Sequence, residues 1–144
     1  MLEGIQLDDR VPFRDWATEL LPWLNETMKD VNHGMGDSLE EVKERQIRYT
    51  SYAARLVELL AVAEGYYQTA LAEVMEKLGT GPNKLSPMLV GRIAEGKVKN
   101  EAKVYATIKR LNATLETLLM SIASRLRFEK NVNFGAQEST FMRD

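Results

Sequence analysis

The sequence predicts an all-α fold: a long antiparallel helical hairpin with an additional N-terminal helix, assembled as a homo-oligomer. Three observations carry this. From Ser38 to Leu78 the chain has no proline, and its apolar residues repeat with a coiled-coil period. From Lys97 to Lys130 it has neither glycine nor proline. There Val104, Ile108, Leu111, Leu115, Leu118, Ile122 and Leu126 recur every three or four residues, along one side of a helix. After the first stretch only a short turn segment, Gly79 to Ser86, precedes Pro87, where the second helix or a bent entry to it begins, so the long helices are expected side by side in opposite directions. At 1.5 Å per residue the second helix is about 50 Å long, too long for one small globular core, and it must lie against another long helix.

Residues 1–12 read as an irregular lead-in, with Asp8, Asp9 and Pro12 near a helix start. Phe13, Trp16, Leu20, Leu24, Met28 and Val31 then share a helical face, although Pro22 inside the pattern predicts a kink or a junction of two short helices. Trp16 and Trp23 concentrate apolar area here, so the segment is expected to fold onto the main body; the other reading is a docking helix for a partner protein. Asn32 to Asp37 is a break with two glycines. Ser38 and Glu41 form a capping box that opens the next helix.

Two heptad lines run along that helix. One takes Leu39, Gln46, Ala53, Leu60, Tyr67 and Val74, the other Val42, Tyr49, Leu56, Ala63 and Ala70, with Gln46 as the one polar interruption. Gly79 supplies a stop. Ser86 followed by Pro87 reads as an N-cap with proline at the first helical position. Gly91 and Gly96 weaken the following residues, so Pro87–Gly96 is either a separate short helix or a bent entry to the last one, which is expected to end at Lys130. The pattern then fails, and residues 131–144 read as a frayed tail or a short docking segment. The whole chain, 1–144, reads as one helical domain.

The 144 residues, 44% apolar and 28% charged, fit one folded domain. With no cysteine, disulfides and thiol catalysis are excluded. No apolar run reaches membrane-spanning length and the N-terminus has no signal-peptide plan, so the expected compartment is the cytoplasm and no membrane partner is expected. His33 is the only histidine, which excludes a catalytic triad and a histidine-rich metal site; in its glycine-rich turn it reads as solvated. The GMGD and GTGPNK segments lack the ending of a phosphate loop. No enzymatic activity, cofactor or small-molecule substrate is expected.

The net charge of −2 conceals an asymmetry. Residues 1–83 hold 8 basic and 15 acidic side chains, whereas residues 84–130 hold 10 basic and 4 acidic. A basic segment in an acidic protein binds a polyanion or pairs with its own acidic half or a neighbouring subunit. On a helical wheel Arg92, Lys99, Lys103 and Arg110 line up opposite the apolar stripe over about 27 Å. With Lys97 and Lys109 they form the candidate nucleic-acid-binding set, and Arg125 and Arg127 extend it. Tyr105 is the one aromatic among them and reads as core rather than as a stacking platform. Further along the same side lie Ala106, Ala113, Thr114, Thr117, Ser121 and Ser124, small residues that suit close approach of a second helix.

This layout resembles the UvsY-like recombination mediators of phages. The resemblance runs from residue 49 to about 134. It comprises a tyrosine-led long helix (YTSYAARLVELLAVAEGYY), a glycine-containing break, and a basic helix with a glutamate entry (VKNEAKVYATIKRLNATLETLL) closing near Ile122 and Arg125. The acidic N-terminal third lies outside it. The resemblance implies a small all-helical protein that assembles into rings, binds single-stranded DNA, and helps load a recombinase onto strands coated with single-strand binding protein. Two other readings stay open: a helical assembly protein, such as a phage structural accessory, with no nucleic-acid role, and a helical subunit of a ribonucleoprotein.

Overall fold

The computed structural model describes residues 11–79 and 85–142, with side chains described as far as residue 132. All regular structure among them is helical: α1 (Phe13–Val31), α2 (Leu39–Gly79), α3 (Pro87–Lys97) and α4 (Lys99–Met142). Among the described residues no helix is long and apolar enough to cross a membrane.

The carbonyl of Pro12 opens α1 by accepting from the amides of Asp15 and Trp16, both at 3.1 Å. Pro22 does not divide the helix. Its missing N–H deprives the Thr18 carbonyl of a partner, but both residues are exposed, where water can take that place. Trp16, Ala17, Leu20, Leu24, Thr27 and Val31 are buried against α2 and α4. Met28, expected on this face, is 36% exposed, and Thr27, one residue and about 100° away, takes its place. Around Trp16 the rings of Phe13 and Tyr66 gather, at centroid distances of 6.2 and 5.1 Å, and the Tyr66 hydroxyl donates to the Val11 carbonyl.

Two left-handed glycines reverse the chain after α1, Gly34 at φ 75° and Gly36 at φ 93°. The α2 cap is a shifted version of the expected box. Ser38 Oγ accepts the Glu41 amide at 3.1 Å, while the Glu41 carboxylate accepts from Asp37 at 3.0 Å, one residue before the serine.

One of the two heptad lines of α2 is core: Val42, Tyr49, Leu56 and Ala63 are buried. The other line, Leu39 to Val74, is half-buried, and Leu59 and Tyr66 complete the core instead. The cause is that α2 serves three neighbours, α4, α3 and α1, so its buried face is turned and widened relative to a two-helix seam.

Ser86 caps α3 through the Leu89 amide, with Pro87 in the first turn. Of the two readings of Pro87–Gly96 the structure has the separate short helix, α3, which is set off from α4 by non-helical backbone at Val98 (φ −101°, ψ 26°). Val90, Ala94 and Val98, at four-residue spacing, are all buried as α3 packs against α2. On α4, Ile108, Leu111, Leu115 and Ile122 are buried and Val104, Leu118 and Leu126 are half-buried, the stripe expected. The helix does not stop at Lys130 but runs to Met142. Extending a formed helix adds a backbone hydrogen bond per residue, and a lone glycine, Gly135, does not end it. The Arg125 guanidinium donates to the carbonyls of Gly36 and Asp37 at 2.8 and 2.7 Å. Tyr67 stacks on Tyr105, with centroids 5.9 Å apart and planes at 1°.

Candidate nucleic-acid interface

The six basic residues fall into three groups. Lys99, Lys103 and Arg110 share one outward strip of α4, within roughly 40° of one another at 100° per residue. Lys109 stands about 100° away, its ammonium nitrogen 5.9 Å from the centre of the Tyr105 ring. Arg92 and Lys97 belong to α3, beyond the distortion at Val98, so the single line drawn through all of them does not run along one helix. All six side chains are exposed. Among the described residues none of them is in an ion pair with an acidic side chain.

The strip borders a furrow between α1 and α4. A groove of about 650 Å³ is lined by Lys103, Val104 and Thr107 from α4 and by Arg14, Leu21 and Leu24 from α1. A smaller one of about 170 Å³ continues past Met28, Val31 and Arg110. The strip thus places cations beside a largely apolar trough whose α4 wall also carries Glu101. Tyr105 is half-buried, packs against the core and is engaged with Tyr67, so its ring faces are not open for stacking a base. Arg125 also leaves the candidate set, because its guanidinium is committed to the carbonyls before α2.

Between and beyond these cations the same side of α4 is smooth. Ala106, Ala113, Thr114, Thr117, Ser121 and Ser124 are all exposed. The hydroxyls of Thr114, Thr117 and Ser121 donate to the carbonyls four residues back, so covering this strip would strand none of those donors.

A polar centre around Asp30 has no counterpart in the periodicity of the sequence. Arg48 Nε and Nη2 donate to the two Asp30 oxygens at 2.6 and 2.8 Å, and the Tyr52 hydroxyl donates to Oδ2 at 2.6 Å. Tyr49 donates to the carbonyls of Asp30 and Gly34, and Arg48 also holds Glu44. Burial alone would raise the Asp30 carboxyl, but the hydrogen bonds from Arg48 and Tyr52 outweigh it and hold the group below the usual range. Burial, and then the bond to Asp30, push Tyr52 up to about 12. A lone aspartate beside a glycine turn, with an Arg-Tyr-x-x-Tyr run on the next helix, is the only sequence signal for this cluster. It fastens the end of α1 to α2. Among the described residues no group of three or more His, Cys, Asp or Glu side chains can hold a metal ion.

No protein-family model matches the chain, and neither a curated protein nor a solved structure matches it.

Proposed function

We propose that this chain is a non-enzymatic, single-stranded-DNA-binding accessory of recombination, acting as a helical homo-oligomer in a phage. Its core is an antiparallel hairpin of α2 and α4, a reading supported by the Arg125–Gly36 and Tyr67–Tyr105 contacts at its two ends. The observation that carries the function is the strip of Lys99, Lys103 and Arg110, exposed and without acidic partners among the described residues. Phosphates follow the strip without sequence readout, Arg92, Lys97 and Lys109 add charge at its margins, and several copies sum their strips by avidity. The resemblance to the UvsY-like mediators adds a recombinase and a single-strand binding protein as partners.

Fluorescence anisotropy with a single-stranded oligonucleotide at two salt concentrations tests this. With about four phosphates neutralised per protomer, affinity falls with a log–log slope of roughly −3. Lys99→Glu with Lys103→Glu weakens all strands about equally and leaves the assembly intact. A second reading, a helical assembly protein without nucleic-acid binding, is favoured by the exposed small-residue side of α4. It wins if the wild type binds no strand at low salt and the double substitution dissociates the assembly. Tighter binding of RNA than of DNA points instead to a ribonucleoprotein subunit.

A further inference from the structure

Outside its buried face, α2 carries exposed apolar side chains. Ile47 is 75% exposed and Val57 is 59% exposed. Ile47, Thr50, Ala54, Val57 and Ala61 follow one another at alternating intervals of three and four residues, a narrow coiled-coil-type strip separate from the buried one. Between the two large residues the strip is small, and the Thr50 hydroxyl is already satisfied by the Gln46 carbonyl at 2.6 Å. A second helix can therefore come close without stranding that donor.

We propose that this face binds a second copy of the chain, α2 against α2 in opposite directions, about a two-fold axis level with the Thr50–Ala54 turn. The inference rests on the self-association proposed above and names its surface. The spacing is self-complementary. When two identical helices run in opposite directions about that point, Ile47 of each lies opposite Val57 of the other, and Thr50 opposite Ala54. In the same register Lys43 falls within one turn of Glu58 and Glu64 of the other copy. Lys43 is exposed and is in no ion pair among the described residues, so this contact gives it two carboxylates that it lacks in the monomer. Of the other carboxylates on that flank, Glu44 is paired with Arg48, and Glu40 lies one turn before Lys43 on its own helix. The contact is one helix wide, at the small end of specific interfaces, and so forms a reversible dimer. It leaves Lys99, Lys103 and Arg110 free, and a dimer carries two such strips.

Sedimentation equilibrium over a dilution series, on full-length chains, tests the surface. Val57→Glu and Ile47→Glu sit at exposed helical positions, so circular dichroism should be unchanged while dimer dissociation rises about tenfold or more. Lys43→Glu alone weakens the dimer, as does Glu58→Lys with Glu64→Lys. Mixing the two variants restores it, since every reversed charge then meets its opposite. Wild type that stays monomeric at every concentration overturns both this inference and the proposed self-association. A wild-type oligomer that Val57→Glu leaves intact, or a mixture no tighter than its components, overturns this surface alone. If Ala113→Glu then dissociates that oligomer, the small-residue side of α4 is the interface instead.

Discussion

Asp30 and Arg48 meet across the α1–α2 turn through two hydrogen bonds, Nε to Oδ2 at 2.6 Å and Nη2 to Oδ1 at 2.8 Å. Because the Asp30 carboxyl is held below its ordinary 3.8, the folded state binds this proton less readily than the unfolded chain does. The pair therefore stabilises the fold fully above about pH 4, and that contribution declines as pH falls through the lowered value. Urea unfolding between pH 6 and pH 2 should show a declining acid limb that is shallower in Asp30→Asn. At neutral pH the variant should be less stable by about 1–3 kcal/mol, because it removes the carboxylate that accepts from Arg48 and Tyr52 and leaves Arg48 with Glu44 alone.

Tyr52 gives the opposite limb. Its hydroxyl, pushed from 10.0 up to about 12, stays protonated in the folded chain after the unfolded chain has ionised. Stability from this group is complete below pH 10 and declines as pH rises towards 12. Tyr52→Phe should flatten that decline without abolishing it, because burial also raises Tyr49. Denaturant midpoints measured at pH 9 and pH 11 for both chains decide it.

The turn that brings Asp30 to Arg48 makes unequal demands on its two glycines. Both have positive φ, where an added Cβ costs about 1 kcal/mol. At Gly34 a Cβ would meet open space, whereas at Gly36 it would lie 2.9 Å from Glu41 Cβ. Gly36→Ala should therefore lower stability by about 2 kcal/mol or more and Gly34→Ala by about half of that. Equal losses in thermal melts would mean that the turn relaxes freely around Glu41.

What was legible in the sequence was what neighbouring residues decide among themselves. The α4 stripe from Val104 to Leu126, the Ser86–Pro87 start and the break at Gly34 and Gly36 follow from periodicity and local caps. What was not legible depends on residues far apart. Arg125 reads as one more cation until the fold sets it beside Gly36, 89 positions away. Asp30 reads as a polar residue near a helix end until Arg48 and Tyr52 arrive from α2. A wheel through Arg92 and Lys99 requires one straight helix, and the backbone at Val98 (φ −101°, ψ 26°) interrupts it. Of the candidate strip, Lys99, Lys103 and Arg110 were legible as a unit because they lie within one uninterrupted helix.

Arg125 and Arg110 should separate stability from strand binding. Both are arginines of α4, but Arg125 donates to two carbonyls while Arg110 is exposed on the outward strip. Arg125→Ala removes a charged donor from Gly36 and Asp37 and should cost about 1–3 kcal/mol in unfolding free energy. It should leave oligonucleotide affinity and its salt dependence unchanged at temperatures where the variant is folded. Lys103→Ala with Arg110→Ala should do the reverse. Unfolding should shift by no more than about 0.5 kcal/mol, as for exposed substitutions, while the salt slope becomes shallower by roughly 0.7 for each phosphate no longer neutralised. Anisotropy titrations at three salt concentrations, run beside thermal melts, read both quantities for each variant. If Arg125→Ala weakens strands as strongly as the double variant, the phosphate path passes the α2 start rather than the α1–α4 furrow.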